Sequence, residues 1–154
     1  QLINPGSKLM DKPITGRCLC GAVSYEANAE QVIGGHCHCV DCQKSSGTGH
    51  SSHMGVPAAA VSINGETSVY AAPTDAGNTV SRHFCPTCGL PIYSTNSSMV
   101  DLLFLRASSL DDLEAFQPGV VVYTKSRPSW DHVGQGLPEF DGMPPPQAMA
   151  EMSE

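Results

Sequence analysis

Seven cysteines fall into three tight groups, Cys18-x-Cys20, Cys37-x-Cys39-x-x-Cys42 and Cys85-x-x-Cys88, and no other feature restricts this chain as strongly. An odd number counts against a closed set of disulfides. The spacings count further, because cysteines one or two residues apart reach disulfide geometry only with strain. Clustered thiols in a chain without a recognisable export signal read as metal ligands in a reducing compartment, so a cytoplasmic protein is expected. The middle group lies in a stretch that also holds His36, His38, His50 and His53.

Counting ligands divides the cysteines. Cys85-Pro-Thr-Cys88-Gly89 has the form of a zinc knuckle, in which the glycine permits the positive φ that turns backbone N–H groups toward sulfur. Cys18-Leu-Cys20-Gly21 is a tighter relative, and the two pairs together complete a four-sulfur site. Cys37, Cys39 and Cys42 remain, three ligands for a metal that takes four. Structural zinc sites are closed, whereas catalytic ones keep three protein ligands and an open position. Either the second site is open, or His36, His38, His50 or His53 closes it. Soft thiolates in this number select zinc, and two zincs per chain are expected. An iron–sulfur cluster would want a fourth cysteine in the middle group.

The rest of the chain supports a single, mainly β domain. Short runs rich in β-branched and aromatic residues recur between turn residues: ITGRCLC, AVSYEA, VSING, SVYAA, TVSRHF, LPIYST, VDLLFLRA and VVVYTK. Val23, Tyr25 and Ala27 alternate with Ser24 and Glu26, as one face of a strand should. Two short helices are expected, one over VDCQKSS after Cys39 and one in SSLDDLEAF, where Ser109 would cap a turn carrying Leu110, Leu113 and Phe116. Gln1–Leu9 reads as a leader left by expression, the domain as residues 10–134, and the Pro- and Met-rich residues 135–154 as a flexible or draped tail. A net charge of −7 with scattered basic residues argues against nucleic acid or an anionic membrane as partner. No apolar run approaches the length of a membrane span. Oligomeric state leaves no trace in the sequence.

Four elements in order resemble the glutathione-dependent formaldehyde-activating enzyme / centromere protein V family: G-x-C-x-C-G-A-V-x-Y from Gly16 to Tyr25, C-H-C-x-x-C-Q-K-S-S-G from Cys37 to Gly47, F-C-x-x-C-G from Phe84 to Gly89, and Pro128-x-Trp130. The resemblance runs from about Ile14 to Val133. It implies a β-tent fold of short antiparallel sheets with cysteine knuckles and a structural zinc on Cys18, Cys20, Cys85 and Cys88. It further implies a second zinc on Cys37, Cys39 and Cys42, where a thiol cosubstrate such as glutathione binds. The implied activity is of carbon–sulfur lyase type, joining a thiol to an aldehyde such as formaldehyde to give S-hydroxymethylglutathione. The centromere branch carries a basic extension that this chain lacks.

Three thiolates on a divalent zinc leave one net negative charge. Such a site suits exchange of an external thiol better than generation of hydroxide. Attack of that thiolate on an aldehyde then requires a proton for the developing alkoxide. His53 and His50 are the nearest candidates in sequence, and His83 comes close through HFCPTC. His38, between two ligands, is expected to point outward. Lys44 and Ser45 could form a pocket rim that receives a carboxylate of the thiol cosubstrate, or merely end a helix. Trp130 reads as a packing anchor, and Arg82 and Arg106 as surface residues. Two other readings stay open: a different small-molecule reaction in the same pocket, such as isomerisation, cyclisation or hydrolysis, and a zinc-stabilised module without catalysis.

Overall fold

Alternation of apolar and polar residues sets strands throughout, and a computed structural model, which describes residues 12–145 and 147–148, contains ten of them. Gln1–Leu9 and the final residues of the tail lie outside the described residues. Strands β1 (Ile14–Arg17), β2 (Ser24–Ala27) and β5 (Val61–Asn64) form a small antiparallel sheet in the order β1-β2-β5. The large sheet contains β3 (Ile33–Cys37), β4 (Ser51–Pro57), β6 (Ser68–Pro73), β7 (Thr79–Phe84), β8 (Pro91–Asn96), β9 (Leu102–Arg106) and β10 (Val120–Val122). Its order is β10-β3-β4-β9-β8-β7-β6, antiparallel except where β10 pairs in parallel with β3. The chain is thus mainly β, as expected, with one mixed sheet.

The core lies where the small sheet covers one face of the large one. Val23, Tyr25 and Ala27 point into it, together with Met54, Val56, Leu103, Leu105 and Ile92. Each of the Val, Leu, Ile and Met side chains removed from water contributes about 1.5–3 kcal/mol. Tyr25 also carries a hydrogen-bond chain. Ser109 Oγ donates its single proton to Arg106 O at 2.7 Å, so the Tyr25 hydroxyl donates to Ser109 Oγ, also at 2.7 Å. Burial, eased by the Ser109 bond, raises the Tyr25 phenol to about 12.

The helix expected after Cys39 is α1 (Val40–Ser46), with Cys39 as its N-cap: the Cys39 sulfur accepts from Cys42 N. The second expected helix is replaced by two 3-10 turns, Ala107–Ser109 and Leu113–Ala115. Ser109 caps neither, because its hydroxyl is committed to Arg106 and Tyr25. Asp112 caps the second turn instead, accepting from Glu114 N. Leu113 is exposed while Leu110 is buried. Trp130 is 67% exposed and anchors nothing. Beyond Gly134 the chain runs beside β10, with Val121 N donating to Pro138 O and Phe140 N to Val121 O, both at 2.9 Å. Arg127 adds an ion pair to Glu139 at 2.9 Å.

Two strands that no propensity signal marks, β3 and β4, are adjacent interior strands of the large sheet and carry the candidate site. Their sequences, IGGHC and SSHMGVP, are poor in β-branched residues. The glycines of β3 serve close approach, since a Cβ on Gly35 would come within 2.7 Å of Val120 Cγ1 on β10.

Candidate metal centres and cavity

The turn after β1 and the turn after β7 meet at the edge of the core. There the sulfurs of Cys18, Cys20, Cys85 and Cys88 all lie within 4.8 Å of one another. The Cys18–Cys20 and Cys20–Cys85 sulfurs are 3.6 and 3.7 Å apart. A zinc–sulfur bond of about 2.3 Å places the corners of a tetrahedron about 3.8 Å apart, so the four thiols fit such an ion. Gly21 and Gly89 follow each pair at φ 83° and 78°, conformations costly for any side chain. The knuckles aim backbone N–H groups at sulfur: Val23 N at Cys18 (3.3 Å), and Thr87 N and Cys88 N at Cys85 (3.3 and 3.4 Å). Burial pushes the Cys18 thiol up, but the Val23 N–H and the neighbouring thiols outweigh it and bring it down to about 6. For Cys20 the Ala22 N–H favours the thiolate, yet burial and the neighbouring thiols win and push it up to about 11. Crowded thiols cannot all ionise alone, and a divalent cation removes that conflict.

The second cluster is built by the end of β3 and by α1. Cys37 closes the strand, Cys39 caps the helix and Cys42 lies in its first turn, which brings the three sulfurs within 4.8 Å of one another. No His, Asp or Glu among the described residues joins them at that distance. His53, on β4, comes nearest: its Nε2 is 3.5 Å from Cys42 Sγ and 2.7 Å from Ser51 Oγ. Hydrogen bonds from Cys37 and Cys39 hold the Cys42 thiol far below its usual value, burial opposes this, and His53 reinforces it. The same bonds and burial push Cys37 far up. Three acids at one spot cannot all ionise without mutual repulsion, and this donor set suits a soft divalent cation.

Cys37, Cys39, Cys42 and His53 form one wall of an open cavity of about 680 Å³. Arg82, Phe104 and Tyr123 are among the other residues that line it, and Tyr123 sits at φ 57°, outside the region favoured by most side chains. Beneath α1 lies Arg106, only 4% exposed. Its Nη2 donates to Ser45 Oγ at 2.6 Å, and Ser45 in turn donates to Cys42 O at 3.3 Å. Burial lowers the Arg106 guanidinium below its usual value, and the thiols at 42, 37 and 39 draw it back up. A surface position is the default for arginine, but the antiparallel register pairs Arg106 with His53 under the helix.

Several other candidates are placed differently from expectation. His38 is fully buried rather than pointing outward, because its amide bonds Val122 O and its Nδ1 donates to Gly49 O at 2.8 Å. His50 is held by Asp131 at 2.7 Å and does not line the cavity. His36, His38, His50 and Asp131 form their own network behind β3, in which burial and then His50 and His38 push His36 down to about 4. His83 stacks on Tyr93 with ring centroids 4.2 Å apart and bonds Thr67. Lys44 is exposed, and neither Lys44 nor Ser45 lines the cavity, so they form no rim. Tyr123 and Asp131 escape sequence reasoning because neither lies near a cysteine group; the pairing of β10 with β3 brings in Tyr123, and the bond to His50 brings in Asp131.

Fold and site together define a mainly β protein that presents two cysteine clusters able to hold metal ions, one against the core and one on a substrate-sized cavity. The profile of the glutathione-dependent formaldehyde-activating enzyme family matches residues 13–126, and the chain belongs to that family. Membership supports a glutathione-related, formaldehyde-activating role. Comparison with curated proteins finds no match. A crystal structure of a Rhodobacter sphaeroides protein superposes with a TM-score of 0.53 at 16% identity, over 82% of this chain and 98% of that one, a likeness of fold. No helix among the described residues is long and apolar enough to cross a membrane.

Proposed function

We propose that the protein is a zinc-dependent enzyme of carbon–sulfur lyase type, acting in the cytoplasm on the adduct of a thiol such as glutathione with an aldehyde such as formaldehyde. The observation that carries this reading is the three-sulfur cluster facing a cavity, with no fourth ligand among the described residues. Zinc held by Cys37, Cys39 and Cys42 would supply a position where an external thiol is kept as its thiolate. The four-sulfur cluster of Cys18, Cys20, Cys85 and Cys88 would hold a structural zinc that ties the two knuckles together.

In the forward direction the thiolate sulfur forms a bond to the carbonyl carbon. The carbon–oxygen π pair moves to oxygen, which takes a proton to give the hydroxymethyl thioether. His53 would hold that proton, a reading supported by its Nε2 lying 3.5 Å from Cys42 Sγ and 2.7 Å from Ser51 Oγ at the cavity wall. Lysis runs the same path backward, with His53 accepting the proton. Arg106, buried under the cluster, offsets the negative charge that three thiolates bring to it.

Exchange NMR on glutathione and formaldehyde tests the reading. The zinc-replete protein should raise the exchange rate above the spontaneous one, and Cys42→Ser should remove the increase. An exchange rate equal to the spontaneous one with the zinc-replete protein refutes it.

A further inference from the structure

Tyr123 breaks the alternation of its own strand. Val120 and Val122 line the cavity, whereas Val121 between them is fully buried and does not. Continued extension would send Tyr123 the way of Val121, yet Tyr123 lines the cavity beside Val122. A left-handed backbone at φ 57° and ψ 40° produces the reversal. Among the described residues no other side chain but hydrogen sits at positive φ, a conformation that costs an aromatic residue energy. Backbone bonds hold it there. Tyr123 N donates to Gly142 O at 3.3 Å, Thr124 N to Phe140 O at 3.1 Å, and Ser126 N to Tyr123 O at 3.1 Å. The segment beyond Gly134 therefore helps to fix a cavity residue in a conformation its own sequence disfavours.

Register places this residue at the open cluster. Val122 pairs with Cys37, and Cys37 with Ser51. Tyr123 thus comes to the three sulfurs from the β10 side, whereas His53 comes from β4. Burial raises the Tyr123 phenol above its ordinary value, and Cys37, Cys39, Asp75 and Cys42 push it further up, so their charges reach it. The Tyr25 hydroxyl gives its proton to Ser109, but no hydrogen bond among the described residues takes that of Tyr123.

Charge makes a second donor useful here. Three thiolates on a divalent cation leave one negative charge, and an external thiolate adds another. As its sulfur bonds to the carbonyl carbon, the π pair collects on oxygen beside that excess charge. Arg106 does not reach the oxygen, because it is bound to Ser45 under α1 and does not line the cavity. We propose that Tyr123 is a further catalytic residue, whose hydroxyl donates a hydrogen bond to the aldehyde oxygen and holds it as the alkoxide forms. Tyr123 keeps its own proton throughout; the proton that the oxygen finally takes is the one assigned to His53. The identity of that oxygen rests on the proposed thiol–aldehyde chemistry.

Calorimetric titration of the zinc-replete protein with thioacetate and with propane-2-thiol tests it. The two probes share one skeleton. Thioacetate carries a partly charged oxygen on the carbon next to sulfur, the spacing of the adduct, where propane-2-thiol carries a methyl group. Tyr123→Phe should weaken thioacetate binding about tenfold or more, the worth of one hydrogen bond to a charged acceptor, and leave propane-2-thiol within about twofold. An unchanged affinity for thioacetate overturns the proposal. So does an equal loss for both probes, which would make Tyr123 a packing residue, and so does an absence of thioacetate binding to the wild type. Neither probe contains an aldehyde, so the comparison needs no turnover. A wild type without thiol–aldehyde exchange would refute the proposed reaction and leave this comparison intact, and the two readings fail separately.

Discussion

Replacing one sulfur in each cluster should have unequal consequences for folding. Cys85 has no exposed surface, packs in the core with Cys18 and accepts two backbone N–H groups. In small zinc domains metal binding contributes about 10–16 kcal/mol to folding, so one ligand in four carries roughly 3–4 kcal/mol. A serine hydroxyl left in that core without well-placed partners costs about 1–3 kcal/mol more. Cys85→Ser should therefore lose roughly 4–7 kcal/mol, a large part of the 5–15 kcal/mol typical of a domain. At about 2–4 °C per kcal/mol for a chain of this size, the melting temperature should fall by about 10–25 °C. Cys42 faces the cavity, and its cluster joins one strand end to a seven-residue helix. Cys42→Ser should cost about 1–2 kcal/mol, and its melting temperature should fall by a few degrees only. Thermal unfolding in zinc-replete buffer, paired with metal analysis of each variant, reads both effects. Equal losses of melting temperature, or a full complement of metal in Cys85→Ser, would refute the division into a structural and an open site.

Arg106→Met removes the buried guanidinium beneath the three-sulfur cluster, and should raise by about one pH unit the midpoint at which its metal-free thiols react with iodoacetamide. Arg106→Lys should restore part of the shift, and an unchanged alkylation profile rules out the charge-offsetting role. Tyr25 gives a pH signature. Its folded-state value near 12 lies above the ordinary tyrosine value of 10, so its contribution to stability is whole below that ordinary value and is lost as pH rises toward the folded one. The loss should reach about 2 kcal/mol, read as the difference in urea stability between about pH 9 and about pH 11.5. Tyr25→Phe should show a correspondingly shallower decline, and equal slopes count against the assignment.

Much of this was legible in the chain because it is local. Two-residue and three-residue spacings with a following glycine specify a knuckle wherever they fold, and Val23-x-Tyr25-x-Ala27 specifies one buried strand face. TVSRHF became β7 residue for residue. Propensity failed at β3 and β4, where glycine, serine and histidine are held in strands by neighbours on both sides. It failed also at Ser109, whose hydroxyl had a better partner across the core than in its own turn.

By itself, then, the sequence determined the division of seven thiols into four and three, the mainly β class and the short helix that carries Cys42. Those follow from covalent spacing and from alternation along a strand. Tertiary structure alone decided which histidine faces the open cluster and that Arg106 is buried beneath it. Each of these depends on register between strands far apart in the chain. Register is set by burial of the opposite face, so no window of sequence contains it.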